Sequence, residues 1–154
     1  MKTNASQRGL AMVELAISIF VMLSIAFGIT EFGRAIYQYN SLAKGVRDAA
    51  RFLSTRDATD AAARNQAKCL AVYGNLGCTG NALVPGLTLA MVNVCDAVTC
   101  PADHQFQGSN PVMNLVTVSI GGGNVTPYTF TSLVAFVVPD IPFGPISVTM
   151  RQVL

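Results

Sequence analysis

Apolar residues near the start of the chain form one block and then become periodic. Between residues 10 and 30 the only charged residue is Glu14, and residues 15–30 carry no charge at all. At about 1.5 Å of rise per residue, this stretch is long enough to cross a hydrocarbon core of about 30 Å. The pattern therefore predicts a membrane-spanning helix over about residues 10–30.

The helical period continues beyond this span. Over residues 31–56 apolar side chains recur at steps of three and four, which is typical of one face of an amphipathic helix. Most of the charged residues lie off that face, and the first proline is Pro85. We therefore expect one helix over about residues 10–54, in a helical segment that ends by residue 56. The apolar stripe comprises Phe32, Ala35, Ile36, Tyr39, Leu42, Ala43, Val46, Ala49, Ala50 and Leu53.

The remaining residues, 57–154, have the pattern of a small mixed domain. A second helix is predicted over residues 58–73, with Asp57 or Thr59 as its N-cap. Strand patterns follow, and the sequences GGGN (121–124) and PDIPFGP (139–145) interrupt them as turns. Helices followed by strands describe an α+β domain with a mostly antiparallel sheet of about four strands. The predicted strands cover residues 87–95, 112–120, 128–138 and 146–153.

Four cysteines occur in this second part: Cys69, Cys78, Cys95 and Cys100. An even number on one side of a membrane span indicates two disulfides and an oxidising compartment. Of the three possible connectivities, the sequential one is the default prediction. We expect no metal and no cofactor, because neither spacing is CxxC and His104 is the only histidine.

Composition and charge narrow the class of protein. Hydrophobic residues make up 51% of the chain and charged residues only 12%, against roughly 25% charged in ordinary soluble domains. The net charge of +2 gives no signal for nucleic acid. Because Lys2 and Arg8 precede the span, the N-terminus is predicted to be cytoplasmic and the C-terminal domain to lie on the opposite side.

No catalytic motif stands out elsewhere in the chain, and we expect no enzymatic activity. Asp103 and His104 fall in a polar loop without a serine or cysteine nucleophile motif, so His104 is expected to be an exposed loop residue. The GGGN sequence lacks the spacing of a phosphate-binding loop.

Glu31 and Arg34 lie one helical turn apart at the expected exit from the membrane. The favoured interpretation is a solvated or interfacial ion pair of small energetic weight. The alternative is that the two residues pair between subunits and set their stagger.

Glu14 needs an explanation, because an ionisable group within a membrane span is costly and usually functional. A plain signal anchor has no use for it, nor has a secretory signal cleaved after Ala26. A third interpretation uses it: residues 1–9 are a basic leader, and cleavage after Gly9 frees the amine of Leu10. The Glu14 carboxylate can then neutralise that amine, in its own helix or in a neighbouring one, when helices bundle.

The residues around this site resemble a known family. Gly9 followed by LAMVE (10–14) resembles the processing site of type IV-like prepilins. VELA (13–16) and FGITEFGRAIYQYNSLAKGVRDAARF (27–52) are similar to the TadE-like pattern of Flp/Tad pilus systems. The resemblance implies a minor pilin or pseudopilin that a prepilin peptidase cleaves after Gly9.

The resemblance also implies partners and a location. The partners would be the major Flp pilin, companion TadF- or TadG-like minor pilins, the prepilin peptidase and the inner-membrane assembly platform. The protein would cross the bacterial inner membrane once, with a periplasmic domain, before any incorporation into a pilus. Two alternatives stay open: an uncleaved membrane-anchored binding or adhesion domain, and a secreted soluble protein cleaved after Ala26.

Overall fold

The structure, a computed structural model, describes residues 5–108 and 113–153. Its first element, α1 (Ala5–Ser54), is a single helix of 50 residues, about 75 Å long at about 1.5 Å per residue. The continuous helix is therefore confirmed, but the expected start near residue 10 is wrong. Residues 5–8 contain neither glycine nor proline, so nothing in them ends the helix early. Residues 1–4 of the predicted leader lie outside the described residues.

One face of α1 carries the core, and its buried positions repeat about every seven residues. The predicted stripe is only partly right, because Phe32, Ile36 and Tyr39 are exposed. Glu31 and Gln38 occupy the buried face in their place. A buried polar residue is tolerated where it is hydrogen-bonded, as both of these are. The buried positions are Glu31, Ala35, Gln38, Leu42, Gly45, Val46, Ala49, Ala50, Leu53 and Ser54.

The second helix, α2 (Ala61–Tyr73), packs along α1 and starts three residues later than predicted. Its N-cap is Asp60, whose carboxylate accepts two backbone N–H groups of the first turn. The predicted caps are wrong: Asp57 instead accepts the amide and hydroxyl of Thr59 in the preceding turn. Gly74 ends the helix in the left-handed conformation, with φ of 71°.

The two helices approach each other closely at Gly45. A Cβ placed on this residue would lie 2.7 Å from the carbonyl oxygen of Ala71 and 3.1 Å from a Leu83 methyl group. Ala67 and Ala71 of α2 are fully buried. Small residues on both helices therefore set the short distance between the two backbones.

Five strands form two antiparallel sheets: β1 (Val92–Cys95), β2 (Leu115–Ile120), β3 (Thr129–Phe130), β4 (Ile141–Pro142) and β5 (Ile146–Arg151). The larger sheet has the order β1-β2-β5, and its register aligns Val118 with Val94 on one side and Val148 on the other. Alternate residues of β2 face α1 and complete the core.

The α+β class is confirmed, but the strands are shorter than predicted. Residues 89–91 form a 3-10 turn ahead of β1, and a short helix, α3 (Pro101–His104), lies in the predicted polar loop. The predicted strand 128–138 retains only β3, because residues 131–138 fold into turns in which the N–H groups of Val137 and Val138 bond the carbonyl of Val134. Strand β4 lies within the predicted turn 139–145. Residue 112, the predicted start of another strand, lies outside the described residues.

Both disulfides follow the sequential pairing. Cys69 and Cys78 are bonded with their Cα atoms 4.7 Å apart, which joins α2 to the loop that follows it. Cys95 and Cys100 are bonded with their Cα atoms 5.3 Å apart, which joins the end of β1 to the start of α3. Each bridge closes a local loop and so restricts the unfolded chain.

Candidate functional site

The N-terminal part of α1 stands clear of the rest of the protein. Every residue from 9 to 27 is exposed except Ser24, which is half-buried. The domain first reaches the helix near Gly28, where a Cβ would lie 3.6 Å from Val137. Among the described residues α1 is the one helix long and apolar enough to cross a membrane, and its most apolar stretch buries nothing within the protein. Such a surface fits membrane anchoring.

The predicted processing site lies on this exposed segment. A Cβ at Gly9 would meet no atom within 4 Å, and Leu10 is 72% exposed. The cuts proposed after Gly9 and after Ala26 both fall before the first contact with the domain. Neither cut would therefore remove a residue of the hydrophobic core.

Glu14 is also exposed and lies on the same side of the helix as Leu10, four residues later. Among the described residues its carboxylate takes part in neither of the two salt bridges. Its pairing with a Leu10 amine stays a prediction, and the geometry leaves the carboxylate available to a partner from outside this chain.

Glu31 lies at the junction between the exposed helix and the domain. Its side chain is 4% exposed, and both carboxylate oxygens lie 2.7 Å from Nη1 of Arg34. The Ser132 hydroxyl and the Leu133 backbone N–H also donate to it, each over 3.2 Å. The carboxylate is therefore not solvated as the first form of the prediction had it, because Ser132 and Leu133 cover it. An interfacial pair stays a prediction.

These contacts determine the charge state of Glu31. Burial acts to raise the pKa of the carboxyl group, but the hydrogen bonds from Arg34, Leu133 and Ser132, with the positive charge of Arg34, outweigh it and lower the pKa. The group is therefore ionised at neutral pH. Arg34 itself remains about one-third exposed and lies over the ring of Phe130, 5.2 Å from its centroid. The pair thus joins α1 to the turn and to β3.

A second polar contact lies one heptad further along α1. The Tyr128 hydroxyl lies 2.8 Å from both Gln38 Oε1 and the carbonyl oxygen of Pro85, and its one proton is shared between these two acceptors. Burial raises the pKa of Tyr128, with the charge of Arg34 opposing it. Neither Gln38 nor Tyr128 was predicted as a site residue. For Gln38 the signal was its spacing of seven from Glu31, which places two polar residues on one helix face; Tyr128 had no such local signal.

The isolated histidine differs from its predicted environment. His104 ends α3, is half-buried, and has its Nε2 2.7 Å from Thr117 Oγ1, which lies 2.7 Å from Thr149 Oγ1. The expectation of an exposed loop histidine is therefore wrong, because α3 packs its last residue against β2. Residues 5–108 and 113–153 contain no group of three or more His, Cys, Asp or Glu side chains that could hold a metal ion.

Comparison with known proteins identifies the N-terminal segment. Residues 9–51 match the family model described as TadE-like protein, which confirms the resemblance over less than a third of the chain. No curated protein and no solved structure matches the chain. The matched region begins at Gly9, contains Glu14, Glu31 and Arg34, and indicates a protein associated with Tad pilus machinery.

Proposed function

We propose, from the TadE-like region over residues 9–51, that this chain is a minor pilin or pseudopilin that assembles with, or into, a Tad-type pilus. The role is structural rather than enzymatic. The observation that carries the proposal is that the matched region begins at Gly9, where the exposed helix also presents an apolar surface without a partner in the described chain. That surface suits a subunit held first by lipid and then by neighbouring helices.

Processing after Gly9 gives Glu14 its function in this proposal. A new amine at Leu10 carries a positive charge at neutral pH, since the pKa of an α-amino group is about 8. When helices bundle away from water, that charge needs an opposite one. Glu14 supplies it in the same helix or in a neighbour, and the pair fixes the register of the subunits, as a polar core residue does in a coiled coil.

The proposed partners follow from this arrangement. A prepilin peptidase cleaves the leader, the inner-membrane assembly platform extracts the helix from lipid, and the major Flp pilin and TadF- or TadG-like subunits receive it. The orientation proposed here puts the domain in the periplasm, with Lys2 and Arg8 of the leader on the cytoplasmic side.

The first experiment is N-terminal sequencing and intact-mass measurement of the protein purified from membranes of a strain that carries the peptidase. We expect the mature chain to start at Leu10. A start at Phe27 would indicate the secreted protein and a start at Met1 the uncleaved anchor, and either would refute the proposed processing. Gly9→Ala should leave unprocessed chain without harm to the fold, because a Cβ there meets no other atom.

The second experiment tests Glu14 itself. Glu14→Gln keeps the shape of the side chain and removes its charge, so membrane insertion and processing should be preserved. Incorporation into sheared pili should fall by at least about 100-fold, since breaking a buried ion pair costs about 3–5 kcal/mol. Ser18→Ala is the matched control, because Ser18 lies one turn away and its hydroxyl bonds only the local backbone. Incorporation of Glu14→Gln at the level of this control would exclude the proposed charge pair.

A further inference from the structure

Two large apolar side chains project from the turn that follows β3. Leu133 is 78% exposed and Phe136 is 76% exposed. The turn belongs to residues 105–139, which contain no acidic residue, lysine or arginine. Asp140 follows directly, and its carboxylate accepts the Ser132 N–H over 2.9 Å at the base of the turn. Exposed apolar side chains grouped in this way usually mark an interaction surface.

The position of this turn along α1 is fixed by two contacts. The Leu133 N–H donates to Glu31 over 3.2 Å, which places it just beyond the end of the predicted membrane span. Val137 lies beside Gly28, which is three residues closer to the N-terminus than Glu31 and within the predicted span. At about 1.5 Å per residue, this is roughly 4.5 Å deeper along the helix axis. The turn is therefore level with the last residues of the span.

We infer that residues 131–138 contact lipid at the non-cytoplasmic surface of the membrane, with Leu133 and Phe136 inserted among the headgroups and upper acyl chains. The turn adjoins α1 at Gly28. Of the two carboxylates that it bonds, Glu31 is paired with Arg34 and Asp140 accepts the Ser132 N–H. The interfacial layer beyond the hydrocarbon core is about 5–8 Å deep on each side, which matches the level of the turn. Lipid is thus the partner whose chemistry and position fit.

The Glu31 contacts give this surface a mechanical role. They hold the turn against α1, so that insertion of the turn fixes the tilt of the domain relative to the membrane. The inference requires α1 to cross the bilayer, but it does not depend on cleavage after Gly9 or on pilus assembly.

The chain has no tryptophan, so single tryptophans can report on lipid contact. Full-length Phe136→Trp and Leu133→Trp are reconstituted in vesicles of phosphatidylglycerol and brominated phosphatidylcholine. Phe106→Trp is the matched control, because Phe106 is 69% exposed but lies near the end of α1 that is far from the membrane. Its N–H donates to the Asn114 side chain, and the Asn114 backbone carbonyl accepts from Gln152, which contacts Arg56 just after α1. Phe20→Trp, within the span, reports on insertion of the helix.

We expect fluorescence from tryptophan at position 136 or 133 to be strongly quenched by bromines near the headgroup end of the acyl chains, and less by bromines at the chain ends. Fluorescence from position 106 should be unchanged by bromination. Position 20 should be quenched by the deeper bromines.

Equal, weak quenching at positions 136, 133 and 106 would overturn the inference, as would absence of quenching at position 20, since α1 would then not be in lipid. If bromolipid does not quench position 136, but its protection from acrylamide increases with protein concentration, a second copy of the chain covers the turn. That result would also overturn the inference. A start at Leu10 or at Met1 leaves each of these outcomes unaltered, which separates this test from that of the proposed function.

Discussion

Removal of the Tyr128 hydroxyl should destabilise the attachment of the domain to α1. Tyr128 is 3% exposed and Gln38 is 7% exposed, so water cannot readily replace the hydroxyl between Gln38 Oε1 and the Pro85 carbonyl. Tyr128→Phe keeps the ring and leaves these acceptors without their donor, at a cost of about 1–3 kcal/mol. For a chain of this length a loss of about 2 kcal/mol lowers Tm by roughly 4–8 °C.

The assay is thermal unfolding of the full-length protein in detergent, followed by circular dichroism in the near ultraviolet. Tyr37→Phe is the matched control, because Tyr37 is 71% exposed and its change should stay within about 0.5 kcal/mol. Gln38→Leu combined with Tyr128→Phe removes both polar partners and should cost less than the sum of the single changes. If Tyr128→Phe unfolds at the same temperature as Tyr37→Phe, or if the two changes add fully, the polar contact does not hold the domain to the helix.

Three further perturbations test other contacts. Glu31→Ala should speed hydrogen exchange at the Leu133 amide, which loses its acceptor, and Glu31→Gln should have a smaller effect; unchanged exchange in the alanine variant would contradict the junction described. Burial tends to raise the pKa of Asp96, but hydrogen bonds from neighbouring N–H groups, a hydroxyl and a guanidinium lower it below its ordinary value of 3.8. The ionised Asp96 therefore contributes its full stabilisation above about pH 4 and loses it as pH falls through the folded pKa. Asp96→Asn should be less stable at neutral pH and should lose less of its unfolding free energy on acidification. Parallel pH profiles of the two proteins in urea unfolding would refute this. Gly45→Ala should cost about 1–3 kcal/mol by forcing the helices apart, whereas Gly33→Ala, where a Cβ meets no other atom, should stabilise the protein by up to about 1 kcal/mol.

The parts of the candidate site that depend on neighbouring residues could be predicted from the sequence. The uncharged run, the glycine ahead of Glu14 and the motif around Glu31 all lie within one helix, where spacing alone decides which residues share a face. The surroundings of Glu31 were not accessible in this way, because Ser132 and Leu133 lie about a hundred residues away. The same holds for Tyr128, whose partners come from α1 and from the loop after α2.

The sequence by itself determined that a long apolar helix precedes a small α+β domain, because hydrophobic block length and period act through neighbouring residues. It also indicated the two disulfides, which close short loops. Only the tertiary structure decided which face of α1 is buried. More than one face of α1 is apolar enough to pack against the domain. Glu31 and Gln38 are buried instead of Phe32 and Ile36 because distant segments supply their hydrogen-bond partners. Strand length was decided in the same way, since a residue joins a strand only where a neighbouring strand pairs with it, whatever its own propensity.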